Sequence, residues 1–399
     1  MVTALIETDS ICIFFQPIVS IRHAKVIGLE ALARAYDAQS ELIAPSFLFA
    51  QAKKEGASFE LDKFVRKKAI QAFVPHYHAD TGLFLFLNFE SHLLDQKLDF
   101  SAFEFDKIVA ELGIPPRSVV LEIKEDEVQN SHHLKLFCEH YRNLGFIIAL
   151  DDFGAGSSTF DRLAIVRPNI VKLDRSLVFN LHQNFIHQEI LKAITNMCFN
   201  IGALVLCEGV ESEEEILKAL RFDVDIFQGF WFAKPSSTAP SSPLLFQKIQ
   251  HVGNIHSEHA KLSLHKKTQL IRIATKHAQT IIEKISTSTT EDLRNYLCQA
   301  DDLEAIYRID ATTGLQIGQT IIDISGGCFF QPAKEGDNHS LKEYFYITKE
   351  SQRRNFLSQK YISQASGAMC RTFAQVFKKD GREQILCLDL KASAFLATS

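Results

Sequence analysis

The run Phe146-Ile-Ile-Ala-Leu150, followed at once by Asp151-Asp152-Phe153-Gly154-Ala155-Gly156, decides the fold. Unbroken apolarity over five residues describes a strand covered on both faces. The acids come where that strand runs out. The pattern recurs along the first 235 or so residues. Val26–Leu29 precedes Glu30, Leu83–Leu87 precedes Asn88, and Ser118–Leu121 precedes Glu122. Asn169–Leu173 carries Lys172 and leads into Asp174, Ala203–Cys207 precedes Glu208, and Val224–Phe227 precedes Gln228. Amphipathic stretches of helical period, such as Phe64–Phe73, His133–Leu144 and Phe185–Phe199, lie between these runs. Strand alternating with helix predicts an α/β protein with parallel strands, and the count suits a TIM-like (β/α)8 barrel. A doubly wound sheet would carry a glycine-rich phosphate loop after its first strand, and the sequence has none there. In a barrel, the polar strand ends all converge on one mouth.

A chain of 399 residues is too long for one small domain. Residues 236–243 read Ser-Ser-Thr-Ala-Pro-Ser-Ser-Pro, which is turn chemistry and closes the first unit. Leu270, Ile271, Ala274, Ala278, Ile281, Ile282 and Ile285 then share one helix face. Such a stripe has to be buried against something. Leu303–Ile309, Leu315–Ile322, Ala368–Lys378 and Glu383–Leu390 are strand-like, and Asp380-Gly381 between the last two signals a hairpin. The expected organisation is a barrel over 1–244, a connecting helix over 245–290 and a smaller α+β domain over 291–399. A net charge of −5 gives no overall basic footprint for a nucleic-acid polymer. No apolar run approaches the 20 or so residues of a membrane span, and no secretory leader is recognisable, so a cytoplasmic location without membrane insertion is expected. None of the 8 cysteines forms C-x-x-C, which argues for buried thiols over a zinc site.

Five carboxylates at one mouth (Glu30, Glu122, Asp151, Asp152 and Glu208) repel one another unless cations neutralise them. Oxygen ligands favour Mg²⁺, Mn²⁺ or Ca²⁺ over zinc. The Asp151-Asp152 pair suits two ions, an arrangement that serves phosphodiester hydrolysis, and Lys172 among the acids suits a water-orienting or charge-offsetting role. Each acid could instead cap a helix, but that does not account for all of them together.

The same residues resemble the EAL domain, the family of bacterial cyclic di-GMP phosphodiesterases. Glu30-Ala-Leu-Ala-Arg34 is similar to E-A-L-x-R, Phe15-Gln-Pro-Ile-Val19 to Y-Q-P-I-V, and Leu121-Glu-Ile-Lys-Glu125 to L-E-I-T-E. Asp151-Asp-Phe-Gly-Ala-Gly-Ser-Ser158 is similar to D-D-F-G-T-G-x-S, Val171-Lys-Leu-Asp174 to the K-I-D strand, and Cys207-Glu-Gly-Val-Glu211 to A-E-G-V-E. Gln228-Gly-Phe230, leading to Pro235, resembles the closing Q-G-Y-x-F-x-x-P. The resemblance implies hydrolysis of cyclic di-GMP to pGpG with Mg²⁺ or Mn²⁺. It places one ion at Glu30, Asn88, Glu122 and Asp151, and a second at Asp151, Asp152 and Glu208. Lys172 and Glu208 would handle the attacking water, and Glu125 would steady the loop after Asp152. Gln16, Leu32, Arg34, Asp174, Glu211, Gln228 and Pro235 would line the nucleotide site. A homodimer is implied, and Ca²⁺, with its longer bonds, is expected to inhibit. Departures are Glu90 for the Ser of N-x-S, Lys124 for Thr, Ala155 for Thr and Cys207 for Ala. The alternative reading is a non-catalytic cyclic di-GMP receptor, against which the retained acids argue. The last third resembles PAS-like or Cache-like sensor modules through Ala305–Asp310, Gly314–Gln316, Tyr344-Phe345 and the Asp380-Gly381 hairpin. Its ligand or partner is not evident in the sequence.

Overall fold

The computed structural model describes residues 1–37, 39, 41–95, 103–124, 128–156, 160–238, 243–285, 287–322, 331–350, 355–363 and 366–391. The chain forms two compact units, Met1–His259 and Ala260–Ser399. In the first, the strands are β1 (Ile11–Ser20), β2 (Lys25–Tyr36), β3 (Leu42–Ile43), β4 (Phe84–Phe89), β5 (Val119–Lys124), β6 (Ile147–Phe153), β7 (Ile170–Leu173), β8 (Leu204–Cys207) and β9 (Ile226–Phe227). They pair in the order β1-β9-β8-β7-β6-β5-β4-β2, and β1 pairs with β2 to close an eight-strand barrel, with β3 added beside β2.

One strand departs from the parallel expectation. β1 runs antiparallel to both β2 and β9. The cause is the short turn Ile21–Ala24, in which Ala24 has φ 51°. So short a link makes a hairpin, whereas a parallel neighbour needs a long crossover. Glu30 is also not at a strand end. β2 runs on to Tyr36, but its pairing with β4 stops at Ala31, so the barrel rim falls just past Glu30.

The barrel interior is filled by Ile18, Phe86, Val120, Ala149, Ile170, Leu206 and Ile226, which form one apolar cluster from seven strands. The eighth strand offers Gly28 in register with Ile18, and a Cβ there would lie 2.6 Å from the Phe86 ring. The absent side chain is therefore what admits the Phe. Outside the barrel, Phe89, Phe103, Phe105, Phe137, Tyr141 and Phe146 pack edge-to-face and stacked between strands and helices, with Phe89 and Phe137 4.6 Å apart. This cluster absorbs part of the phenylalanine excess, and such pairs add to area burial.

The helix Pro243–Lys284 begins in the first unit, where Leu245, Ile249 and Val252 join the barrel's apolar core. Its later residues Leu270, Ala274, Ala278, Ile281 and Ile285 belong to the second unit. They pack there with Leu303, Ile306, Phe373, Phe377, Leu386 and Leu388. That unit is β-rich: β10 (Leu303–Asp310), β11 (Gln316–Ile322), β12 (Asn355–Leu357), β13 (Tyr361–Ile362), β14 (Met369–Lys379) and β15 (Arg382–Lys391). The antiparallel order is β11-β10-β15-β14-β12, with β13 also on β14. Asp380 and Gly381 both have positive φ (50° and 77°), as the two-residue hairpin requires. The sheet's other face is covered by Tyr344 and Phe345 over Tyr307, Ile309, Ile385 and Cys387. Among the described residues, no helix is long and apolar enough to cross a membrane, and the seven described cysteines are free.

Gly28→Val should lower stability by about 1–3 kcal/mol, because the added carbons cannot share space with Phe86. Urea unfolding followed by circular dichroism checks this, with Gly28→Ala falling between the two.

Candidate active site

Side chains alternate along a strand, so the residue two positions beyond each interior residue faces the same way. Two steps toward the mouth from Ile18, Gly28, Phe86, Val120, Ala149, Ile170, Leu206 and Ile226 stand Gln16, Glu30, Asn88, Glu122, Asp151, Lys172, Glu208 and Gln228. Each barrel strand thus sends one polar group into a single ring. The β1 register places Gln16 opposite Glu30, which explains why an antiparallel strand still contributes.

Asp152 should face away from Asp151 by the same alternation. It does not, because the β6–β7 register shifts between Leu150 and Phe153 and Asp152 adopts φ 56°. Aspartate tolerates this region better than most residues, and register shifts beside active sites re-aim side chains. As a result, carboxylate oxygens of Asp151, Asp152 and Glu208 lie within 4.8 Å of one another.

Lys172 is 1% exposed and stands at the centre of the ring. Its Nζ lies 3.1 Å from Asp151 Oδ1, 2.6 Å from Glu208 Oε1 and 3.9 Å from Glu30 Oε1, and it also pairs with Glu122. Asn88 Nδ2 donates to Glu30 Oε1 at 2.8 Å, and Gln228 Nε2 donates to Glu30 Oε2 and, at 3.1 Å, to Gln16 Oε1. Burial alone would lower the Lys172 pKa, but Asp151, Glu122, Glu208 and Glu30 outweigh it and hold the ammonium charged. One ammonium cannot serve four carboxylates. Burial, together with the neighbouring acids, pushes the Glu122 carboxyl well up despite Lys172, and pushes Glu208 up to about 8. Glu122 Oε2 is buried with no hydrogen-bond partner among the described residues. An oxygen-lined ring with too little positive charge and an orphaned carboxylate oxygen fits a hard divalent cation.

The ring opens into a cleft of roughly 830 Å³. Of the residues expected at the nucleotide site, Gln16, Leu32, Arg34, Glu211 and Gln228 line it. Arg34 lies over the Phe14 ring at 5.6 Å. Asp174 and Pro235 are not among its lining residues, and Asp174 caps the short helix Arg175–Val178 by accepting from Ser176 N at 2.8 Å. Glu125 lies outside the described residues, as do Ser157 and Ser158. Gly229, between Gln228 and Phe230, has its backbone against Val210, so that a Cβ would sit 2.1 Å from the Val210 carbonyl oxygen.

Several contributors escaped the sequence reading. Arg175 pairs with Glu211 in a fork, with Nη2 to Oε2 at 2.7 Å, and lies in the cleft wall. Lys124 Nζ pairs with Asp152 Oδ2 at 2.8 Å. Asp62 and Arg66, 3% and 1% exposed, form an ion pair in the cleft wall, with Arg66 4.0 Å over Phe105. Asp62 also accepts from the Glu90 N–H, and Ser91 Oγ accepts from the Lys124 N–H, which ties the ends of β4 and β5 together. The signal for the buried pair was an Asp and an Arg four apart, flanking an apolar helix face.

Residues 1–235 match the EAL domain. The chain belongs to the EAL-domain family. An uncharacterized EAL-domain protein of Bacillus subtilis, YkuI, is 26% identical over 390 residues, covering 93% of this chain and 92% of its own. The structure of YkuI in complex with substrate c-di-GMP and calcium superposes with TM-score 0.85 at 25% identity, over 98% of this chain and 99% of that one. The Escherichia coli cyclic di-GMP phosphodiesterase PdeR is 27% identical over 231 residues, which is 58% of this chain and 34% of PdeR. A standalone EAL protein of Vibrio cholerae in its c-di-GMP bound form matches with TM-score 0.52 at 28% identity, over 59% of this chain and 97% of that one. The EAL barrel thus accounts for the first unit, and the YkuI likeness extends through the second.

The raised carboxyls make a stability prediction. A carboxyl with a folded pKa above its unfolded value binds more protons when folded, so its stabilisation is lost as pH rises through the folded value. His76, His92, His256 and His339, held down by burial, act oppositely but finish titrating near neutrality. In chelator, the melting temperature should therefore fall between about pH 7 and 8.5. Added Mn²⁺ should flatten that fall in a calorimetric scan.

Proposed function

We propose that this EAL protein hydrolyses one phosphodiester of cyclic di-GMP to linear pGpG, using Mg²⁺ or Mn²⁺. The observation that carries the reading is the ring itself. Glu30, Asn88, Glu122, Asp151, Asp152 and Glu208 are all retained and converge around Lys172. Glu30, Asn88, Glu122 and Asp151 would hold one ion, and Asp151, Asp152 and Glu208 a second. Such ions supply a water of lowered pKa and offset charge building on the phosphate.

The chain's own residues do the rest. Lys172, immobilised by its carboxylate partners, orients the attacking water. Glu208, at the edge of the ring and only partly buried, accepts a proton from that water. The water oxygen bonds to phosphorus, the bond from phosphorus to the ribose 3′ oxygen breaks, and that oxygen takes a proton from solvent, to which Glu208 later releases its own. Gln16, Leu32, Arg34, Glu211 and Gln228 bind and orient the nucleotide. Glu125 steadies the loop after Asp152, and Asp174 acts through its helix cap. The second unit serves as a sensor of the PAS or Cache kind, and the protein works as a homodimer whose second unit biases the loop after Asp152.

Incubation with cyclic di-GMP and Mg²⁺ or Mn²⁺, with nucleotides resolved by chromatography, should yield pGpG. No pGpG at any pH or metal would leave a receptor that binds and signals. Glu30→Ala should reduce turnover by at least about 10³-fold while nucleotide binding by calorimetry persists through Arg34 and Gln16. Ca²⁺ alone should support binding but not turnover, and full turnover in Ca²⁺ would contradict the assignment.

A cut after His259 keeps Leu245, Ile249 and Val252 in the barrel core. Removing 260–399 should change specific activity or subunit count by light scattering. No change in either would leave the second unit without a role in this reaction.

A further inference from the structure

Lys124 stands where the L-E-I-T-E pattern has threonine, and its ammonium sits on Asp152 Oδ2 at 2.8 Å. Asp152 is also one of three acids whose oxygens close on a common point with Asp151 and Glu208. The two arrangements compete for the same carboxylate. An ammonium and a divalent cation cannot both be held close to one small anion without repelling each other. Asp151 and Glu208 are already engaged by Lys172. Asp152 is the member of the trio paired with Lys124, and both partners of that pair are over a third exposed. The contact is weak enough for a cation to displace.

We infer that Lys124 sets the affinity of the site formed by Asp151, Asp152 and Glu208. Its side chain occupies Asp152 until a cation displaces it, so this site loads at higher metal concentration than the site at Glu30, Asn88 and Glu122. Metal supply thereby becomes a control on the enzyme. This rests on the metal-dependent reading above. Lys172 is common to both sites, 3.9 Å from Glu30 Oε1 and paired with Glu122, Asp151 and Glu208, so Lys124 on Asp152 is what distinguishes one site from the other.

The test is Mn²⁺ titration of the full-length protein without nucleotide, by calorimetry and by electron paramagnetic resonance. The variants are Lys124→Thr, which removes the charge, and Lys124→Arg, which keeps it. Lys124 is 39% exposed, so both should fold, and Lys124→Gln replaces the first should it not. The wild type should show one tighter and one weaker Mn²⁺. Lys124→Thr should tighten the weaker one by about two- to fivefold and leave the tighter one unchanged, while Lys124→Arg stays like the wild type. An unchanged weaker site in Lys124→Thr, or equal shifts at both sites, overturns the inference alone. Absence of Mn²⁺ binding in every variant overturns the metal-dependent reading and the inference with it.

Discussion

One buried ammonium facing four carboxylates is the constraint on which the rest of the first unit depends. Lys172 cannot leave the ring without stranding Glu122, Asp151 and Glu208 in an apolar barrel, and it cannot neutralise them alone. A protein that keeps such an arrangement accepts a cost in stability. That cost makes sense where positive charge arrives from outside, as metal ions do. The barrel provides the rigid frame. Each strand fixes one ring member two residues above a packed apolar layer, so the ring's geometry is inherited from Ile18, Phe86, Val120 and their neighbours.

Small backbone features carry much of the chemistry. The Ile21–Ala24 hairpin turns β1 against its neighbours and brings Gln16 beside Glu30. The register shift at Asp151-Asp152 turns two consecutive carboxylates toward the same mouth. Gly28 leaves room for Phe86 in the layer below.

The barrel was legible because its strands are unbroken apolar runs with a polar residue at the rim, a pattern that survives without knowledge of tertiary contacts. The antiparallel β1 was not, since Ile11–Ser20 is apolar and polar in much the way of its neighbours and its direction is set by a turn too plain to stand out. Glu30 looked like a strand terminus because the rim falls just past it, while residues 32–36 continue as strand on pairing with β1 and β3 alone. The acids and their convergence at one mouth with Lys172 among them could be read from the strand ends, whereas the individual pairings of Lys172 needed the folded barrel. Arg175 and the Lys124–Asp152 pair were hidden because their partners lie 36 and 28 residues away and no local pattern marks them, whereas Asp62 and Arg66, four apart on one helix, carry a local signal. In the second unit, the helix stripe from Leu270 to Ile285 announced burial but not its partner, which is the sheet of its own unit.

The account stands on the acids at the barrel mouth being ligands for divalent cations. Anomalous diffraction from crystals grown with Mn²⁺ and cyclic di-GMP tests that directly. The expected result is two manganese peaks, one bounded by Glu30, Asn88, Glu122 and Asp151 and the other by Asp151, Asp152 and Glu208, with the phosphate against them. Nucleotide in the cleft with no manganese peak in the ring, and Lys172 still its only cation, would contradict it.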